Sequence, residues 1–88
     1  MPVREVEIIN RLGMHARPAM QFVETAQRYQ CSVTVHKGPE KVNGKSIMEM
    51  MMLAATPGTV LRLEGKGDDA DACLEALADL VGAGFHED

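Results

Sequence analysis

"NRLGMHARPAM", residues 10–20, separates two segments whose apolar residues recur with different periods. Before it, residues 3–9 alternate between two faces, which is typical of a strand. After it, residues 16–29 show a helical period, with one apolar stripe made by Ala19, Phe22, Val23 and Ala26. The quoted stretch is therefore predicted to end a strand, turn at Gly13 and begin a helix within a few residues.

Three further strands are predicted downstream of this helix. The segments "CSVTVH", residues 31–36, and "TVLRLEG", residues 59–65, alternate apolar with polar residues. Between them, the turn signals Gly38-Pro39 and Asn43-Gly44 leave room for a short strand. The inward-facing residues of the two longer strands are expected to be Cys31, Val33, Val35, Leu61 and Leu63.

Two more helices complete the element order. Residues 47–54 suit a helix, and a last helix begins at Asp68 or Asp69 and extends to Gly82 or Gly84. The order β-α-β-β-α-β-α predicts an α+β open-faced sandwich. We expect a four-stranded, largely antiparallel sheet with three helices covering one face.

Composition and charge restrict the classes of function. The 88 residues are 45% apolar, which predicts a single folded domain over residues 1–88. The net charge of −4 argues against a nucleic-acid partner, because phosphate neutralisation needs a basic face. Cys31 and Cys73 form no close sequence pair, and no signal peptide or membrane-spanning stretch is evident. We expect a reduced, cytoplasmic monomer without membrane insertion.

His15 is predicted to lie at the start of the first helix. Pro18 falls in the first turn, where the missing N–H has no intrahelical acceptor. A helix N-terminus attracts anions, so the amides of Ala16 and Arg17 and the Arg17 guanidinium are expected to hold a phosphoryl group. The neutral imidazole of His15 is a suitable carrier of that group at cellular pH.

Two other interpretations compete with a phosphoryl-carrying role for His15. A lone histidine at a helix start is most often a plain surface or capping residue. The other two histidines are expected to be functionless: His36 on the outward face of a strand, and His86 in a frayed tail. A small metal chaperone would share the element order, but its loop needs cysteines that this loop lacks. We therefore expect no metal site.

The segment "GKSIMEMMML", residues 44–53, adds independent information. Met50, Leu53 and Ala54 are expected to face the core. A helix this short cannot bury all its sides in so small a domain, so some of its remaining large apolar residues should be exposed. These are Ile47, Met48, Met51 and Met52. Methionine makes an adaptable docking surface.

Together, "GMHARPA", residues 13–19, and "GKSIMEMMML" resemble the active-site loop and second motif of the HPr family, the histidine-containing phosphocarriers of the phosphoenolpyruvate-dependent phosphotransferase system. The resemblance implies that His15 accepts a phosphoryl group on Nδ1 from phosphorylated enzyme I, assisted by Arg17, and passes it to a histidine of an enzyme IIA domain. Such a carrier is a substrate in a relay rather than an enzyme, and it needs no cofactor. The implied docking surface comprises Met14, Met20, Gln21, Ile47, Met48 and Met51.

The resemblance leaves two questions about function open. The relay serves either sugar uptake or a nitrogen-related regulatory branch, and the methionines and alanines of residues 44–59 favour the latter. An HPr-like module that regulates by binding alone is the alternative, but such relatives replace the histidine, whereas this chain keeps both His15 and Arg17.

Ser46 has two interpretations. The resemblance places it at the family's regulatory serine, a target of an HPr kinase/phosphorylase. However, "SIME" also matches a capping box, in which the Ser46 hydroxyl accepts from the amide of Glu49 and the Glu49 carboxylate accepts from the amide of Ser46. The carboxylate would also oppose a nearby phosphate. The sequence therefore favours the cap.

Overall fold

The computed structural model describes residues 2–86 and confirms the predicted element order and α+β class. The strands are β1 (Val3–Glu7), β2 (Ser32–Lys37), β3 (Glu40–Asn43) and β4 (Val60–Lys66). The helices are α1 (Ala16–Gln27), α2 (Ile47–Met52) and α3 (Ala70–Gly82), followed by a 3-10 turn at Gly84–His86. None of the helices within residues 2–86 has both the length and the apolar character needed to cross a bilayer.

The sheet has the strand order β1-β4-β2-β3, and all of its pairs are antiparallel. Val6 pairs with Leu61 across β1 and β4, and Val35 pairs with Leu63 across β2 and β4. Because side chains alternate along a strand, these residues share the face that the helices cover, and all of them are buried. The opposite face is polar and carries His36, whose Nε2 lies 3.0 Å from the Glu64 carboxylate.

The core forms between this sheet face and the helices. The α1 stripe is buried as predicted, and α3 contributes Cys73, Leu74, Leu77 and Val81. Both cysteines are free and buried, and burial raises the pKa of the Cys73 thiol to about 12. That thiol is therefore protonated, and chemically quiet, at neutral pH.

Two predictions about element ends are wrong. Helix α2 ends at Met52, because Ala54 adopts a left-handed backbone conformation with φ +51°. Ala54 is exposed and Ala55 is buried in its place. At the C-terminal end, Phe85 is only 1% exposed, so His86 lies in a turn that packs on the core rather than in a frayed tail.

Asp69 is the N-cap residue of α3, yet its carboxylate makes no cap of its own helix. Its oxygens instead accept the N–H groups of Gln30, at 2.7 Å, and Cys31, at 2.9 Å. These bonds, with that of Gln30 the larger influence, hold the pKa of Asp69 below its ordinary value. Asp69 thereby ties the start of α3 to the connection between α1 and β2.

The Asp69→Asn substitution should lower the melting temperature at pH 7. The neutral side chain of asparagine has one acceptor oxygen, whereas both carboxylate oxygens of Asp69 accept backbone hydrogen bonds. A carboxyl whose folded-state pKa is lowered stabilises the protein above its unfolded pKa of about 3.9, and this contribution is lost as the pH falls through the folded pKa. The difference between variant and wild type should therefore shrink in acid. Thermal denaturation from pH 7 to about pH 2.5 measures it. Asp68→Asn, at the exposed neighbour, is the control; a pH-independent difference at Asp69 would contradict the assignment.

Candidate functional site

The loop between β1 and α1 is shaped by hydrogen bonds at both of its ends. The N–H of Gly13 donates to the carbonyl of Asn10 at 3.1 Å, which closes a tight turn. The N–H of Met14 donates to the carbonyl of Ala55 at 2.8 Å, which attaches the loop to the segment that follows α2. The loop is therefore supported by a second part of the chain, because Met14 and Ala55 are 41 positions apart in sequence.

Gly13 is required here for two reasons. Its φ of +66° lies in the left-handed region, which glycine adopts without a steric penalty. A Cβ at this position would also overlap the carbonyl oxygen of Ala55 and lie 3.1 Å from the Cα of Thr56. The predicted turn at Gly13 is thus confirmed, and its cause is the close approach of two backbones.

His15 occupies the N-cap position of α1, as predicted. Its backbone is extended, with φ −95° and ψ −168°, and its carbonyl accepts the first helical hydrogen bond from Ala19 at 3.0 Å. The side chain makes no capping hydrogen bond to the helix and is half-buried. The imidazole is therefore held at the helix start without being used to cap it.

The helix start provides a positive environment next to His15. The amides of Ala16 and Arg17 belong to the first turn, where N–H groups have no intrahelical acceptor, and both residues are exposed. The first turn contains no acidic residue that would neutralise the helix dipole. The structure thus brings together the three residues predicted to hold a phosphoryl group, with the Arg17 side chain on the surface.

The apolar surface beside this site matches the sequence prediction only in part. Met20 of α1 is exposed, and Gln21 is half-buried. The exposed large apolar residues of α2 are Ile47, Met48, Met51 and Met52, of which Met48 is 75% exposed. Met50 and Leu53 are buried, as expected.

Met14 requires a correction. It is only 4% exposed and belongs to the core, so it does not lie on the predicted docking surface. The hydrogen bond from the backbone N–H of Met14 to the carbonyl of Ala55 holds this part of the loop against the core. Leu12, which was not among the predicted docking residues, is 72% exposed and lies inside the turn that Gly13 closes. The available signal was a large apolar residue inside a predicted turn.

Ser46 is confirmed as the N-cap residue of α2, since its hydroxyl accepts the N–H of Glu49 at 3.3 Å. The reciprocal half of the predicted capping box is wrong. The Glu49 carboxylate accepts the N–H of Asn43 at 2.9 Å, while the N–H of Ser46 donates to the carbonyl of Asn43 at 3.1 Å. Glu49 therefore fixes α2 to the end of β3.

The Ser46→Ala substitution should lower the free energy of unfolding by ~1 kcal/mol, because it removes this cap. Denaturant titration followed by circular dichroism measures the change. Ser32→Ala is the matched control: Ser32 is exposed and its hydroxyl lies 3.5 Å from the carbonyl of Lys66, so a change within about 0.5 kcal/mol is expected. Equal stability of the Ser46 variant and the wild type would contradict the capping role.

Comparisons with known proteins give consistent similarities. The family described as "PTS HPr component phosphorylation site" matches residues 3–83. The phosphocarrier protein HPr of Pseudomonas aeruginosa is 51% identical over 88 residues, which is 99% of this chain and 98% of the relative. The phosphocarrier protein NPr of Shewanella violacea is 39% identical, covering 96% of this chain and 92% of the relative. The crystal structure of HPr-C-His from Thermoanaerobacter tengcongensis superposes with a TM-score of 0.95 at 42% identity, covering 100% of this chain and 99% of that one.

Proposed function

Because the chain belongs to the HPr family of phosphotransferase-system phosphocarriers, as its two motifs predict, we propose that His15 is its phosphoryl-accepting residue. Phosphorylated enzyme I is the donor, and a histidine of an enzyme IIA domain is the acceptor. The observation that carries the proposal is the position of His15, half-buried at the N-cap of α1 with its side chain not used for capping. The protein acts in the cytoplasm as a substrate of the relay.

The transfer is a displacement at phosphorus. With the ring proton on Nε2, Nδ1 of His15 carries the lone pair that bonds to phosphorus. The bond between phosphorus and the donor atom of enzyme I breaks, and its electron pair returns to that atom. No proton has to move, since the proton on Nε2 remains in place and gives the ring a positive charge beside the phosphate.

The start of α1 stabilises the phosphoryl group that His15 accepts. The amides of Ala16 and Arg17 and the positive end of the α1 dipole favour the phosphoryl oxygens, and the Arg17 guanidinium adds a permanent charge. Such transfers depend mainly on positioning and electrostatics, because the transition state is loose. The transfer therefore needs no second nucleophilic side chain on this chain.

The partners dock on the apolar surface next to the site. It consists of Met20 from α1 and Ile47, Met48 and Met51 from α2, with Gln21 at its border. Flexible methionines let one surface repack against two different partners, which a relay requires. The composition of residues 44–59 favours the nitrogen-related branch over sugar uptake.

A labelling reaction tests the proposal. The protein is incubated with enzyme I of the same organism, Mg²⁺ and labelled phosphoenolpyruvate. We expect one phosphoryl group per chain, labile in acid and stable in alkali, and placed on Nδ1 of His15 by NMR. Absence of label would overturn the carrier function in favour of a module that acts by binding alone. Adding enzyme IIA domains of each branch and comparing the rates of label transfer identifies the branch.

A further inference from the structure

Asn10 stands out because it is a polar side chain in the core. It is 3% exposed and is the one buried polar or charged residue among residues 2–86. Burying an amide costs free energy unless it forms hydrogen bonds, so such a residue normally has a specific partner. The Nδ2 of Asn10 donates to the carbonyl oxygen of Gly13 at 2.7 Å.

The carbonyl of Gly13 connects Asn10 to His15. It accepts a second hydrogen bond from the backbone N–H of His15 at 3.0 Å. The N–H of Gly13 donates in turn to the carbonyl of Asn10, so the side chain and the backbone of Asn10 hold both polar groups of Gly13. The orientation of the Gly13–Met14 peptide, and with it the start of the His15 backbone, is set from inside the core.

The other side of the loop is held by backbone alone. The N–H of Met14 donates to Ala55, and the buried Met14 side chain prevents the loop from sliding outward. Without the Asn10 amide, Met14 would remain attached while the Gly13 carbonyl would lose its stronger donor. The expected change is a rotation of the Gly13–Met14 peptide rather than unfolding of the loop.

We propose that Asn10 is a positioning residue for phosphoryl transfer, which keeps the His15 imidazole aligned with the start of α1 through the Gly13 carbonyl. This inference rests on the proposed function, because it concerns the same transfer. The docking surface does not include Asn10, so binding of enzyme I should be unaffected. Misplacement of a reacting group by about 1 Å can reduce a rate by about 100-fold.

The test measures kcat and KM of enzyme I with variant chains as the phosphoryl-accepting substrate. Asn10→Ala removes the donor, and Asn10→Asp keeps the size of the side chain but presents a carboxylate in place of the amide. We expect kcat to fall at least 10-fold for both, with KM within twofold of the wild type. The backbone amide NMR signals of His15 and Ala16 should shift, while those of β3 should not.

A variant that is destabilised in the core of α3 serves as the control. Val81→Ala removes buried volume from α3, and all proteins are assayed at a temperature at which each is folded. The Val81 variant should transfer at the wild-type rate. If the Asn10 variants, corrected for folded fraction, match it in kcat, the positioning role is overturned while the carrier function stands. If the wild type itself accepts no phosphoryl group, the proposed function fails first and this inference fails with it.

Discussion

The His15→Ala protein should accept no phosphoryl group from enzyme I while melting close to the wild-type temperature. The imidazole supplies the only atom in the proposed site that forms the new bond to phosphorus. Its loss cannot be compensated by Arg17, whose guanidinium is permanently protonated and is not a nucleophile. The fold should persist because the side chain is half-buried and caps no helix.

His36→Ala is the matched control for this experiment. His36 lies on the polar face of the sheet, on the side opposite to the helices, where its ring contacts Glu64. Its removal should let the pKa of Glu64 return toward its ordinary value, because the His36 hydrogen bond is the main cause of its lowering. Labelling should be unchanged. Label retained in the His15 variant, or lost in the His36 variant, would move the site away from the start of α1.

Most of the fold could be predicted because its elements have strong periods. The alternation of residues 3–9 predicts a strand, which the structure places at Val3–Glu7, and the apolar stripe of α1 predicts the buried face of that helix, which the structure confirms. The end of α2 could not be predicted in this way. Ala54 takes a left-handed conformation that its residue type disfavours, and the contacts of the following segment with the His15 loop impose it.

The site was predictable to the extent that it is local in sequence. His15, Ala16 and Arg17 lie in one turn, so the position of the helix start was sufficient to bring them together. Residues that depend on long-range contacts were assigned less well. Met14 was expected on the surface, but its bond to Ala55 places it in the core. For Asn10 the sequence predicts only the end of a strand, because a side-chain hydrogen bond to Gly13 leaves no pattern in the sequence.

The Gly13→Ala substitution should lower the free energy of unfolding by about 2–4 kcal/mol. The alanine would have to adopt a left-handed backbone conformation, and its Cβ would overlap the carbonyl oxygen of Ala55. The Ala55 carbonyl cannot withdraw like a flexible side chain, since it also accepts the N–H of Met14. Either the loop or the segment after α2 has to move. Transfer to His15 should therefore fall even at temperatures at which the variant is folded.

Gly38→Ala separates these two causes. Gly38 has a similar left-handed φ of +56°, but no atom lies within 4 Å of the position that its Cβ would take. Its substitution should cost only the backbone term of about 1 kcal/mol and should leave phosphoryl transfer unchanged. Denaturant titration of both variants, with the labelling assay at the same temperature, gives the comparison. Equal losses of stability would mean that the loop and the segment after α2 do not approach as closely as described, and that His15 is not held by their contact.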